Sequence, residues 1–119
     1  MRIRFFPITI GPMRLLTERG MSIAKMLRQR HVEVIETFPG AAQDILGIPR
    51  KQNGLEALQA GLVSLGCKGD LMKRQLTGDE LDAVNCALVA KAYASGSYLA
   101  IGDPSEILMI LPNLRSHVV

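Results

Sequence analysis

The spacing of apolar residues changes several times along the chain, and each change marks an element. Met13, Leu16, Gly20, Ile23 and Leu27 form one helical stripe, with Arg14, Glu18, Lys25 and Arg28 elsewhere. That spacing predicts an amphipathic helix over Pro12 to Arg30, opening after Gly11, with Gly20 at a close packing point. The pattern then alternates through HVEVIETFPG, which predicts a strand over Val32 to Phe38 ended by Pro39 and Gly40. Ala41 to Leu46 reads as a short helix stopped by Gly47 and Pro49, and Arg50 and Lys51 follow on a loop. Leu55, Leu58, Leu62 and Leu65 return to helical spacing and predict a helix from Gly54 to Leu65. Cys67 to Leu76 is mixed and basic and reads as loop.

Thr77 to Gly96, TGDELDAVNCALVAKAYASG, is an almost wholly apolar helix, expected to be buried on most sides. After it, SYLAIGDPSEILMILP predicts a hairpin: strand Tyr98 to Ile101, a turn at Gly102, Asp103 and Pro104, and strand Ile107 to Leu111. Asp103 and Glu106 fit turn chemistry.

Composition narrows the classes. With 119 residues, 48% of them hydrophobic and 21% charged, the chain can build one domain with its own core, spanning residues 1–119. Neither a linker, a repeat nor a low-complexity tract interrupts it. Two cysteines, Cys67 and Cys86, suggest free thiols in a reduced cytoplasmic protein. The apolar stretch in MRIRFFPITIGPM is too short, and too broken by Pro7 and Pro12, for a secretion signal. No stretch reaches spanning length, so no membrane partner is expected. Tryptophan is absent and aromatics make up 4%, which argues against a base-stacking platform. Contact with nucleic acid would rest on charge. Residues 1–31 hold Arg2, Arg4, Arg14, Arg19, Lys25, Arg28 and Arg30 against Glu18 alone, within a net charge of +3. Such a segment suits a phosphodiester backbone, and a solvated helix face is the plainer alternative.

The first turn of the last helix carries the chemistry. Asp79, Glu80 and Asp82 cluster there. Asp79 and Asp82 share a face with Cβ atoms about 5–6 Å apart, near enough to share a cation. First-turn acids also complement the helix dipole, which competes as an explanation for Asp79 and Glu80. Asp82, between Leu81 and Ala83, needs a compensating partner or metal if it is buried. Alternation puts Glu36 on one face with Val34 and Phe38, at the carboxyl end of its strand, where α/β sheets build sites; exposure at a fraying strand end is the alternative. His31 and His117 lack metal-ligand spacing, phosphate-loop and dinucleotide fingerprints are absent, and Ser22 and Ser64 have no nearby histidine.

Two segments, GPMRLLTERG…VIETFPGAAQDILGIPRK and DELDAVNCALVAKAYASGSYLAIGDPSEILMILP, resemble domain-of-unknown-function family 429, a group of predicted nucleases with an RNase H-like fold. The resemblance runs from about Phe5 to Pro112. It implies an α/β, partial RNase H-like domain ending in a β-hairpin. Glu36 would be the central-strand acid, Asp82 the last-helix acid and Asp79 a second helix ligand, with Mg2+ or Mn2+ as cofactor. Apart from the resemblance, Arg50 and Lys51 on their loop face either substrate phosphate or water. Members of the family normally begin with strands whose first carries the primary catalytic Asp, and nothing here matches that residue. The chain is therefore expected to correspond to the carboxyl-terminal two thirds of the domain, with an incomplete two-metal site. It would also have an open apolar edge beside the Glu36 strand. A second copy, a separate polypeptide, or Arg2 to Ile10 folded back as a strand would cover it. Two functions follow: a metal-dependent nuclease or nuclease subunit acting on phosphodiesters, and a non-catalytic homodimeric assembly module. A regulator binding cations or nucleotides is a third.

Overall fold

In a computed structural model, which describes residues 11–103 and 108–113, the chain divides into two compact units, residues 1–34 and 35–119. Among the described residues it is a mixed α/β protein of four helices and a two-stranded antiparallel sheet. No helix there is long and apolar enough to cross a membrane. The proposed strand at Arg2 to Ile10, Pro104, Glu106, Ile107 and His117 lie outside the described residues.

In the first unit, α1 spans Gly11–Gln29, as its periodicity predicts. Its apolar stripe is less buried than expected: Ile23 is exposed, and nothing lies within 4 Å of the position a Cβ would take at Gly20. The helix stops on a Schellman motif, with His31 N–H donating to Arg28 O at 3.0 Å and Val32 N–H to Leu27 O at 3.0 Å. His31 occupies the left-handed position, φ 62°, that glycine usually fills. Arg28 Nη2 then donates to Val34 O at 3.3 Å, fastening the chain beyond the turn.

The second unit begins with the largest correction to the sequence reading. Residues 32–38 do not form a strand. Among the described residues, one parallel bridge, Glu36 to Met109, joins this extended stretch to the sheet, through Ile110 N–H donating to Glu36 O at 2.7 Å. Alternation and β-branching favour an extended backbone, but a ladder also needs a partner of matching length. Val32 is still held by the end of α1, and Phe38, at φ −119° and ψ 106°, already leads into the next helix. Glu36 is consequently exposed rather than set among apolar neighbours.

Helix α2, Pro39–Leu46, starts on a proline whose fixed φ suits a first helical position and ends at Gly47 with φ 72°. Helix α3, Leu55–Ser64, buries Leu58 and Leu62 completely. Its Gly61 lets Ile48 approach, since a Cβ there would lie 2.9 Å from Ile48 Cβ. Helix α4 spans Gly78–Ala94. With Ile48, Leu76, Leu81 and Leu88, the α3 leucines form the main apolar core. A second side of α4, with Val89 and Ala92 buried, packs on β2 and α2, which contribute the buried Ile110, Leu111, Ala41 and Ala42. The remaining surface of α4 is not buried as expected, because Ala83, Ala87, Ala90 and Ala94 face outward. Alanine favours helix and exposes little apolar area, so a run that reads as hydrophobic need not be covered.

The segment expected to be loop, 67–76, holds a 3-10 turn at Asp70–Met72 and is organised by one side chain. Gln59 Nε2 donates to Leu71 O at 2.8 Å and to Arg74 O at 2.7 Å, while its Oε1 accepts from Leu76 N–H and Gln75 Nε2, each at 2.8 Å. A buried amide with every group satisfied stabilises its surroundings. The two expected strands pair, β1 at Tyr98–Ile101 as predicted and β2 at Met109–Pro112 rather than Ile107 to Leu111, from Tyr98 opposite Pro112 to Ile101 opposite Met109.

Candidate functional site

The first turn of α4 separates its three acids into different roles. Thr77 caps the helix, accepting from Glu80 N–H at 3.2 Å while Glu80 Oε1 accepts from Thr77 N–H at 2.9 Å. This capping box satisfies amides the helix would otherwise leave open. Arg74 grips the same carboxylate with Nη1 at 3.1 Å and Nη2 at 2.7 Å. Those hydrogen bonds from Arg74, followed by that from the Thr77 amide, hold the Glu80 carboxyl down to about 2. Glu80 is thus committed to the helix start.

Asp79 points to solvent. Asp82, one turn further along the helix, has its partner from a distant part of the chain: Lys51 Nζ lies 2.8 Å from Asp82 Oδ2. Lys51 opens the 3-10 turn Lys51–Asn53, and its stem crosses Gly78, where a Cβ would meet Lys51 Cδ at 3.4 Å. Both members remain partly in water, with side chains 42% and 30% exposed. Asp82 is therefore only partly buried, and its partner is a lysine.

Arg50 is engaged in the same manner. Its Nε donates to Asp44 Oδ1 at 2.9 Å and its Nη2 to Asp44 Oδ2, a two-pronged pair that lowers the Asp44 carboxyl below its usual range. The guanidinium also sits 5.8 Å from the centre of the Phe38 ring and closes over Gly40. The two cations expected to face phosphate each hold a carboxylate of their own chain.

The structure brings Lys51 and Asp82 together and places Glu36 at the bridge to β2. Among the described residues no group of three or more His, Cys, Asp or Glu side chains could hold a metal ion. Glu36, Asp79 and Asp82, the carboxylates expected to meet Mg2+ or Mn2+, are not gathered into one such group.

Three further residues escaped the sequence reading. Asp44 gave no signal, because its partner lies outside any helical spacing. Arg74 gave none either, since it precedes the helix it secures. Asn85 did give one: a polar residue four after Leu81 and three before Leu88 interrupts an apolar stripe. It is fully buried, and among the described residues neither Oδ1 nor Nδ2 has a hydrogen-bond partner; Thr37 Oγ1 is likewise buried and unpartnered among them.

A scan against protein-family models and searches of curated proteins and of solved structures find no match to this chain.

Proposed function

We propose that this chain is an RNase H-like, divalent-metal-dependent nuclease or nuclease subunit, of the kind grouped in domain-of-unknown-function family 429. In this reading it contributes Asp82 and Lys51 to a phosphodiester site whose remaining groups lie outside this pair. The Lys51 to Asp82 pair carries the proposal. A pair this exposed is worth at most about 1 kcal/mol, so an arriving phosphate can take Lys51 and leave the Asp82 carboxylate available. The parallel bridge beside β2, the packing of α4 on that strand and the terminal hairpin support the fold assignment. The seven cations of residues 1–31 support a nucleic-acid substrate. Free Cys67 and Cys86 are compatible with a reducing, cytoplasmic setting. A divalent metal bound beside Asp82 would supply charge neutralisation at the phosphate.

The test is cleavage of DNA and RNA with Mn2+ by the full chain, alone and with any copurifying partner, and with Asp82→Asn as control. Cleavage abolished by Asp82→Asn supports the reading. An inert wild type, or a fully active variant, refutes it.

One observation favours a second reading, a non-catalytic homodimeric assembly module. All four residues of β1 are exposed, an apolar strand without a cover among the described residues. That module would be a stable dimer lacking nuclease activity.

A further inference from the structure

Strand β1 has a second edge. The sheet holds only β1 and β2 among the described residues, and β2 carries the Glu36 bridge on its far side, so β1 is outermost. Outer strands are ordinarily guarded by charges, proline or a bulge. Ser97 to Gly102 has neither a charged residue nor a proline, and the pairing of β1 with β2 is regular along its four residues. Tyr98, Leu99 and Ile101 are 36%, 42% and 41% exposed.

The hydrogen bonds of the hairpin fix which groups face outward. Asn113 N–H donates to Ser97 O at 3.0 Å. Antiparallel strands alternate, so Leu99 and Ile101 also turn their backbone groups toward β2, and Tyr98 and Ala100 turn theirs away. The far edge of β2 gives the same phase. Ile110, opposite Ala100, donates its N–H to Glu36 at 2.7 Å, away from β1. The free edge thus offers the N–H and C=O of Tyr98 and of Ala100.

We infer that this edge pairs with the same edge of a second copy of the chain, antiparallel about a two-fold axis through Leu99. In that register Tyr98 of each copy exchanges two hydrogen bonds with Ala100 of the other, four in all, and the two Leu99 side chains meet at the close, non-hydrogen-bonded position. The match is self-complementary: the largest residue of the strand lies opposite the smallest, leucine lies against leucine, and no like charges oppose one another. Tyr98 is pre-positioned by Tyr93, whose ring centre is 4.7 Å away. Four-residue strands bury less than the roughly 1,000 Å2 of a robust interface, so the dimer depends on concentration. This inference rests on the assembly reading and deepens it by naming the edge and the register; nuclease activity is a separate question.

The experiment uses the full chain with Cys67→Ser and Cys86→Ser. Light scattering over a range of concentrations should show a monomer converting to a dimer. Leu99→Cys should form an interchain disulfide under mild oxidation, because Cα atoms at a non-hydrogen-bonded pair are about 4.5 Å apart, within disulfide reach. Ala90→Cys, on the exposed side of α4, should not. Leu99→Lys places two cations across the axis and should abolish the dimer while leaving the helical circular dichroism intact. Should Leu99→Lys unfold the chain, Ala100→Pro, which removes an outward N–H, serves in its place. A dimer that survives these changes and does not crosslink through residue 99 leaves the assembly reading standing on another surface and overturns this inference. A monomer at every concentration overturns both, and a monomer that binds an extended peptide at this edge reassigns the edge to a foreign strand.

Discussion

Lys51 reaches across Gly78 to place its ammonium 2.8 Å from the Asp82 carboxylate, joining residues 31 apart in sequence. The pair is local in space and half in water, so it contributes little to folding. Lys51→Ala and Asp82→Asn should each change unfolding free energy by no more than about 1 kcal/mol, measured in urea. The same variants should sharply reduce Mn2+-dependent cleavage if the pair belongs to a phosphodiester site. A large stability loss with unchanged cleavage would make it a structural clamp.

Cys86, one turn beyond Asp82, offers a chemical report on that carboxylate. Burial of the thiol first, and the negative Asp82 second, push Cys86 above its ordinary range. Removing the charge with Asp82→Asn lowers the thiol pKa and raises the thiolate fraction at a given pH. Alkylation of Cys86 by iodoacetamide at pH 8, followed by mass spectrometry, should be faster in the variant. Cys67, raised chiefly by burial, should keep its rate.

Asn85 is the clearest point where the chain forgoes stability. A buried amide without partners costs roughly 1–3 kcal/mol. Asn85→Leu, which keeps the branching of the side chain and removes its polar atoms, should raise the thermal midpoint and the urea midpoint. If it lowers them, the amide has a partner in solution.

His31 closes α1 with φ 62°, a conformation that costs an L-residue on the order of 1 kcal/mol. His31→Gly should therefore lengthen the lifetime of α1, seen as greater helical signal on mild heating. His31→Val, β-branched, should reduce it.

The grip on Glu80 sets an acid dependence. Its carboxyl is near 2 in the folded chain against 4.5 ordinarily. A folded value below the unfolded one contributes stability that is complete above about pH 4.5 and is lost as pH falls through about 2. Asp44, lowered by Arg50, acts in the same direction. The thermal midpoint of wild type relative to Glu80→Gln should hold steady near neutrality and converge across that interval.

What could be read from the sequence divides along physical lines. Helices α1, α3 and α4 and the two paired strands were legible because periodicity is local, and Gly47 ended α2 as expected, whereas Pro39, read as a strand end, starts that helix two residues ahead of the expected Ala41. The strand over Val32 to Phe38 failed because pairing depends on a partner, and among the described residues β2 meets this stretch only at Glu36. Glu80 was legible as a dipole-complementing acid, one step short of the capping box. The Lys51 to Asp82 and Arg50 to Asp44 pairs were not, since nothing along a chain says which cation will fold onto which carboxylate. Asp82's need for a partner could be deduced, but the partner's identity could not.

Gln59 bears on the order in which the chain assembles. Leu71, Arg74 and Leu76 find backbone partners in its amide rather than in a helix or sheet. Residues 71–76 cannot acquire those bonds until α3 exists to present them, and Thr77 and Glu80 close the start of α4 directly after this stretch. The order of this stretch thus depends on α3, and loss of the Gln59 amide would free three backbone groups at once, beside the start of α4.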